Sequence, residues 1–155
     1  MMKNIWIAAA IVSTDQLIKY AIRRCPEGIS YEFLPGFIRI THCTNSGAAF
    51  SLFSEHNVFL LVCAILIMIV VLAFVCRKMR LTSAAQSACA CLIGGGIGNL
   101  LDRVFLGGVT DYLELLLFSF PVFNFADIAI TLSTALLMIM TFTGKIEATT
   151  GEEHG

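Results

Sequence analysis

Apolar residues are concentrated in four long segments of the chain, and polar stretches separate these segments. The four segments cover about residues 4–22, 57–76, 84–101 and 122–143. An α-helix needs roughly 20 apolar residues to cross the hydrocarbon core of a bilayer, and each segment is close to that length. The pattern predicts an all-α membrane protein, with four transmembrane helices in a single domain over residues 1–155.

The start of the first segment has a second possible interpretation. Lys3, the apolar run after it and the small residues Ala8–Ala10 resemble a secretory signal peptide. The apolar pattern continues to Ile22, however, which gives nearly the full length of a spanning helix. We therefore expect a retained helix.

The longest polar segment, residues 23–56, contains two short pieces rich in β-favouring residues. These are Tyr31–Leu34 and Phe37–Thr41, on either side of the turn signal Pro35-Gly36. A long segment without helical periodicity is usually functional or disordered, and the β pieces favour order. We expect a small β-containing cap on the membrane surface, and we interpret residues 104–121 as a second connecting segment.

Two features refine the predicted bundle. The third apolar segment is rich in Ala, Ser and Gly, and includes Gly94–Gly96 and Gly98. Small residues let helices approach closely in a membrane, so this helix is expected to be central. The fourth begins just past Pro121, a residue that is tolerated in a first helical turn.

Composition supports the membrane assignment and removes other classes. The chain is 57% hydrophobic and 14% charged, against roughly 25% charged in an average soluble domain. A net charge of -1 provides no basic surface for nucleic acid. The six cysteines lack metal-binding spacing, so no metal or cofactor is expected. Cys25 and Cys43 share one polar segment and either form a disulfide or remain as thiols.

Lysine and arginine in the flanking segments set the expected orientation. One side collects five of them, Lys3, Arg77, Lys78, Arg80 and Lys145, and the other side collects Arg23, Arg24 and Arg39. Positive charge favours the cytoplasmic side. We expect both termini in the cytoplasm, with residues 23–56 and 104–121 outside it.

In this topology the unusual polar residues fall near the outer face of the membrane. They are Asp15, Lys19, Asn45, Asn99, Asp102, Arg103, Asp111, Asn124 and Asp127. Ionisable groups in such apolar surroundings are functional candidates by default. Asp15 and Lys19 are spaced i,i+4 and fit a structural ion pair. Asn99, Asp102 and Arg103 fit either a helix end at the interface or part of a site.

Asp111 and Asp127 flank one short segment and are best explained as a pair. Separately, Asp111 would be a solvated loop acid and Asp127 an acid favoured by the helix dipole. Two neighbouring carboxylates share a proton, because both cannot ionise easily. One can then activate water while the other donates a hydrogen bond to an oxyanion. Glu114, three residues after Asp111, is the competing candidate for the second carboxylate of the pair.

Other classes of function fit the sequence less well. HExxH and GxSxG motifs are absent, which removes the common zinc and serine hydrolases. A proton-coupled transporter or channel would be expected to show an internal repeat or acids near mid-membrane. A structural membrane subunit would not need clustered acids.

The polar motifs resemble those of bacterial lipoprotein signal peptidase, the type II signal peptidase, over nearly the whole chain. The five matching stretches, in the family's order, are DQLIK (15–19), TNSGAAFS (44–51), GGGIGNLLDRV (94–104), GGVTDYLE (107–114) and FPVFNFADIAI (120–130). The resemblance departs mildly at Ile18, where Thr is frequent, and at Tyr112, where Phe is common.

The resemblance implies a four-helix aspartic endopeptidase of the bacterial inner membrane. Such an enzyme removes the signal peptide from prolipoproteins just before a diacylglyceryl-modified cysteine. Asp111 and Asp127 would be catalytic. Asn45, Asn99, Arg103 and Asn124 would bind substrate, and Asp15, Lys19, Gly47 and Asp102 would support the site.

The resemblance also implies how substrate and lipid are used. The signal helix would enter from the bilayer while its acyl chains remain in lipid. The expected partners are prolipoproteins and membrane lipid, the expected state is a monomer, and no cofactor is expected.

Overall fold

The computed structural model describes residues 2–47, 62, 65–67, 69–70, 73 and 81–147. Within them, three helices and three strands follow in the order α1 (Met2–Ile22), β1 (Ser30–Leu34), β2 (Ile38–Asn45), α2 (Ser83–Leu106), β3 (Val109–Leu115) and α3 (Phe125–Phe142). The segment predicted at residues 57–76 lies largely outside this description, and its described positions are helical.

All three helices are long and apolar enough to cross a membrane, which confirms the predictions for the first, third and fourth apolar segments. Helix α2 packs against both α1 and α3. A Cβ atom on Gly94 would lie 2.8 Å from the Cβ of Ile11 in α1, and one on Gly95 would lie 2.7 Å from the carbonyl oxygen of Ala126 in α3. These glycines allow the close approach on both sides, and α2 is central as predicted.

Two helix boundaries differ from the prediction. Helix α2 continues to Leu106 and ends at Gly107, whose φ of 77° suits glycine. Asp102 and Arg103 therefore lie inside the helix, whereas the sequence placed the helix end at about residue 101. Helix α3 starts at Phe125 because Asn124 is its N-cap, so Pro121 precedes the helix and is not in its first turn.

The cap is a three-stranded antiparallel sheet with strand order β1-β2-β3. The predicted β pieces form the β1–β2 hairpin, and β2 runs further, to Asn45. The third strand was missed, because residues 104–121 were interpreted as a simple connection. Its Val-Thr-Asp-Tyr sequence is typical of a strand, and it places Asp111 opposite Cys43 of β2.

Cys25 and Cys43 remain free thiols, so the disulfide alternative is wrong for this structure. Burial raises the pKa of the Cys43 thiol to about 11. This residue is therefore protonated and unreactive near neutral pH.

Candidate active site

The two predicted aspartates come from different elements that meet at one end of the bundle. Asp111 is the third residue of β3, and Asp127 lies in the first turn of α3. Asn124 and Asp127 form a capping box in which the Asp127 backbone N–H donates to Asn124 Oδ1 at 3.0 Å. In return, the Asn124 backbone N–H donates to Asp127 Oδ2 at 3.1 Å. The helix start therefore fixes the position of the Asp127 carboxylate.

Three asparagine amides hold the two carboxylates, and we call these five residues the carboxylate–amide cluster. Asn45 Nδ2 and Asn124 Nδ2 donate to the two oxygens of Asp111 at 2.8 and 2.6 Å. Asn99 Nδ2 donates to Asp127 Oδ1 at 2.7 Å. Asn124 Nδ2 also donates to Asn99 Oδ1 at 3.2 Å, which connects the two aspartates through neutral side chains.

A buried group of two acids and one lysine lies beside this cluster, between α1 and α2. Asp15, Lys19 and Asp102 have exposed side-chain fractions of 0%, 0% and 1%. Lys19 Nζ lies 2.9 Å from Asp15 Oδ2 and 3.3 Å from Asp102 Oδ2, which confirms the predicted Asp15–Lys19 ion pair. Lys19 Nζ also donates to Asn99 Oδ1 at 2.8 Å, so this buried ion group contacts the carboxylate–amide cluster.

Gln16 of α1 and Arg23, the residue that follows the end of α1, also belong to this ion group, and the sequence did not predict them as site residues. Gln16 Nε2 donates to Asp15 Oδ2, to the Gly98 carbonyl and to Asp102 Oδ1. Arg23 Nη1 lies 3.4 Å from Asp102 Oδ1. Arg23 follows Lys19 at i,i+4, a spacing that places it on the same helix face and could have identified it. We call Asp15, Gln16, Lys19, Arg23 and Asp102 the ion-pair cluster.

The ion-pair cluster also holds the strand that carries Asp111. Asp102 Oδ2 accepts the backbone N–H of Thr110 at 2.9 Å. Arg23 Nη1 donates to Thr110 Oγ1 at 3.0 Å. Since Thr110 directly precedes Asp111, these bonds fix the start of β3 against α1 and α2.

Both aspartates line one cavity of about 520 Å³. Its polar lining residues are Asn45, Asn99, Arg103, Asp111, Asp127 and Thr131, with Gly47 beside them. The remaining lining residues are apolar: Val109, Leu115, Phe120, Pro121, Val122, Phe123, Ile128 and Leu132. Two of the lining residues are bonded to each other, since Arg103 Nη2 donates to the Gly47 carbonyl at 3.4 Å. Asn124 does not line this cavity, because it is fully buried behind Asp111.

The surroundings of Asp111 favour its neutral form. Burial raises the pKa of the Asp111 carboxyl to about 6, and the negative charge of Asp127 acts in the same direction. The hydrogen bonds from Asn45 and Asn124 oppose this rise. Asp111 can therefore gain or lose a proton close to neutral pH.

Glu114, the competing carboxylate, lies elsewhere. Its Oε2 accepts the hydroxyl of Thr41 at 2.6 Å and lies 3.5 Å from Arg39 Nη1. It does not line the cavity. Across the described residues, no three His, Cys, Asp or Glu side chains are grouped as metal ligands.

Comparison with known sequences gives a consistent result. The family model described as signal peptidase (SPase) II matches residues 7–143. A lipoprotein signal peptidase of Synechococcus sp. (strain RCC307) is 40% identical over 142 residues, covering 88% of this chain and 94% of the relative. One from Staphylococcus aureus (strain MRSA252) is 34% identical over 139 residues, covering 88% and 85%.

Two solved structures of bacterial membrane enzymes share the fold. One has a TM-score of 0.87 and 30% sequence identity, covering 100% of this chain and 94% of the other. The second has a TM-score of 0.83 and 33% identity, covering 91% and 93%.

Proposed function

This chain belongs to the signal peptidase II family, and from that premise we propose that it cleaves prolipoproteins with Asp111 and Asp127 as an aspartic catalytic pair. Family membership makes it a bacterial membrane peptidase that removes signal peptides from prolipoproteins. We further propose that cleavage takes place inside the membrane, at the peptide bond just before a diacylglyceryl-modified cysteine.

The observation that carries this proposal is that both carboxylates open into one largely apolar cavity. A peptide bond placed there would meet two acids and little competing water. Amides hold the acids without neutralising them, because Asn45, Asn99 and Asn124 are uncharged. Such an environment favours sharing of one proton between two carboxylates.

In the proposed reaction, the ionised aspartate takes a proton from a water molecule as that water attacks the scissile carbonyl. The neutral aspartate donates its proton toward the developing oxyanion. The intermediate then collapses. The hydroxyl that received the proton returns it to its aspartate, the nitrogen of the lipidated cysteine takes the proton that came from water, and the C–N bond breaks to release an amine and a carboxylic acid. Because the assigned pKa values of such a pair belong to both groups together, either aspartate can start as the neutral member.

The proposed substrate contacts divide by position. Gly47 and Arg103 line the cavity and are accessible to a bound peptide backbone, and Asn45 also lines it while donating to Asp111. Asn99 lines the cavity but already holds Asp127, and the buried Asn124 holds Asp111. We assign these two to positioning of the acids, with Asp15, Lys19 and Asp102 supporting them.

The proposed arrangement in the membrane follows the sequence prediction. A fourth helix over residues 57–76 would complete the bundle, with both termini in the cytoplasm and the aspartates near the outer face. The substrate's signal helix would reach the cavity from lipid, and the anchored acyl chains would help to place its scissile bond. The chain would act as a monomer without a cofactor.

A cleavage assay in detergent micelles tests the proposal. A diacylglyceryl-modified prolipoprotein and its unlipidated form are each incubated with wild type, Asp111→Asn and Asp127→Asn, and cleavage is followed by gel shift. We expect wild type to cleave the lipidated form alone, and each Asn variant to lose about 10²- to 10⁴-fold in rate because it removes a proton-transfer group.

The exposed Glu32→Gln in β1 is the matched control, and it should retain full activity. Near-normal turnover by either Asn variant would remove that aspartate from the mechanism. Equal cleavage of both substrates would keep the peptidase and discard the requirement for lipid, and failure of folded wild type to cleave either would contradict the proposal.

A further inference from the structure

The first four backbone N–H groups of an α-helix have no partner within the helix, and in α3 each of them has a partner. Ala126 N–H donates to Asp15 Oδ1 at 3.1 Å, and Asp127 N–H donates to Asn124 Oδ1. Counted from the N-cap, the first of the four, Asn124 N–H, donates to Asp127 Oδ2 at 3.1 Å. The remaining one, Phe125 N–H, donates to the hydroxyl of Tyr112 at 3.1 Å.

Tyr112 therefore contacts the chain on both sides of Asn124. Its backbone N–H donates to the Phe123 carbonyl at 3.0 Å, while its hydroxyl accepts from Phe125. Asn124, between these two contacts, donates to Asp111 and caps the helix turn that carries Asp127. Tyr112 also follows Asp111 directly, so one residue connects the strand of one aspartate to the helix start of the other.

We propose that Tyr112 is a positioning residue, whose hydroxyl fixes Asn124 and so sets the relative position of Asp111 and Asp127. The inference rests on the proposed catalytic function of that pair. The inference goes beyond that function, because Tyr112 does not line the cavity and would act only through Asn124 and the start of α3.

The surroundings of Tyr112 make this hydrogen bond effective. The residue is only 4% exposed, so water does not readily replace a lost hydroxyl. Burial raises the pKa of its phenol to about 12, which keeps the group neutral across the working pH range. A neutral hydroxyl can accept the Phe125 N–H without adding a third negative charge beside the two carboxylates.

The first test is Tyr112→Phe, which removes one oxygen and leaves the ring. We expect kcat on the lipidated prolipoprotein to fall roughly three- to tenfold, the range of one buried hydrogen bond, while KM changes less than about twofold. The matched control is Tyr20→Phe, because the hydroxyl of Tyr20 bonds Arg24 on an exposed face of α1. That variant should match wild type. An unchanged kcat in Tyr112→Phe overturns the proposal.

The second test keeps the Tyr112 hydroxyl, which is the acceptor of this hydrogen bond, and removes the donor, the Phe125 N–H. Phe125→Pro deletes the N–H that Tyr112 accepts, and proline is well tolerated at the first position of a helix. The extended backbone of Asn124, with φ -135° and ψ 180°, is also compatible with a following proline. Phe125→Ala is the matched control, since it removes the same side chain and keeps the N–H.

In the Phe125→Ala background, Tyr112→Phe should still lower kcat, and in the Phe125→Pro background it should have no further effect. An equal loss in both backgrounds would show that the hydroxyl acts elsewhere and would overturn the proposal. If Tyr112→Phe fails to fold, the comparison of Phe125→Pro with Phe125→Ala is sufficient. A lower kcat in Phe125→Pro supports the proposal, and equal kcat values contradict it.

Failure of the underlying function is distinguishable in the same experiment. If wild type does not cleave, or if Asp111→Asn and Asp127→Asn retain activity, the aspartic mechanism fails whatever the Tyr112 variants do. If those controls behave as expected and Tyr112→Phe matches wild type, only the positioning proposal fails.

Discussion

The ion-pair cluster and the carboxylate–amide cluster each hold two buried aspartates, but their partners differ. Asp15 and Asp102 lie within ion-pair distance of Lys19. Asp111 and Asp127 accept hydrogen bonds from neutral asparagine amides, and the positive charges of Lys19 and Arg103 also lie close enough to act on Asp127. A neighbouring cation balances a buried negative charge, whereas an amide orients a carboxylate and leaves its charge in place.

The two clusters also differ in access. The acids of the ion-pair cluster are enclosed between α1 and α2, while those of the carboxylate–amide cluster line the cavity. The same residue type therefore serves two purposes that the local partners decide. Enclosed acids with cations connect the helices, and cavity-lining acids with amides are available for proton transfer.

The strongest test of this comparison makes the same substitution in both clusters. Asp102→Asn should lower the free energy of unfolding, by up to about 3–5 kcal/mol, because the buried Lys19 keeps only Asp15 and the partly exposed Arg23 loses its carboxylate. Asp111→Asn should keep the protein folded and lose about 10²- to 10⁴-fold in cleavage rate. Thermal unfolding in detergent and the gel-shift assay measure the two effects. A stable, inactive Asp102→Asn would contradict the division of roles.

The pH dependence of stability tests the carboxylate–amide cluster separately. The pKa of Asp111 is raised to about 6, above the ordinary aspartate value. The folded state therefore holds this proton more tightly than the unfolded state does. Protonation of Asp111 therefore stabilises the folded protein. This stabilisation is fully present below about pH 4 and is lost as pH rises through about 6, a change of roughly 3 kcal/mol in the free energy of unfolding for two pKa units.

Asp111→Asn removes this carboxyl from the coupled pair, and the pH-dependent part of the difference between wild type and variant reports its contribution. We expect wild type to lose stability relative to the variant between about pH 4 and 6, with a constant difference above that range. Thermal unfolding at a series of pH values measures it. A pH-independent difference would show that Asp111 has an ordinary pKa in the folded protein.

The sequence predicted the Asp15–Lys19 ion pair and the Asp111–Asp127 pair of acids because spacing and apolar context are local signals. Asp15 and Lys19 are one helical turn apart, and Asp111 and Asp127 stand out in apolar surroundings. The partners that separate the clusters are not local. Asn45 and Asp111 are 66 residues apart, and Gln16 and Asp102 are 86 apart. Only the packing of α1, α2 and the sheet brings them together.

The missed strand and helix boundaries have similar causes. Strand β3 is short, and its pairing with β2 depends on a partner more than sixty residues earlier in the chain. Helix α3 was expected to start soon after Pro121, but Asn124 competes as a cap and delays the start. In both cases an interaction outside the apolar pattern decided the local structure.

A smaller effect is expected from Gly98→Ala, which tests how closely the ion-pair cluster is packed. A Cβ atom at this position would lie 2.5 Å from Asp15 Oδ2. Asp15 cannot move aside easily, because Lys19 and the Ala126 N–H hold its carboxylate. We expect a loss of about 2 kcal/mol in unfolding free energy, by overpacking.

Ser87→Ala on the same helix is the control, because the Ser87 hydroxyl donates to the Ser83 carbonyl one turn earlier in its own helix. It should change stability by a few tenths of a kcal/mol at most, about the scale of a surface substitution. Thermal unfolding of both variants measures the difference. Equal stability would show that Asp15 has room to move, and that α1 and α2 are less tightly coupled than the ion pairs indicate.

The smallest effect is expected at Glu114, the acid that belongs to neither cluster. Its carboxylate accepts a hydrogen bond from Thr41 and lies near Arg39. The side chains of Glu114 and Arg39 are both partly exposed. Exposed ion pairs of this kind contribute about 0–1 kcal/mol, so Glu114→Gln should change stability by no more than that. Since Glu114 does not line the cavity, the cleavage rate should also stay within about twofold of wild type, a difference of less than about 0.5 kcal/mol in the activation barrier. A large loss of activity in the gel-shift assay would mean that three acids, and not two, take part in the chemistry.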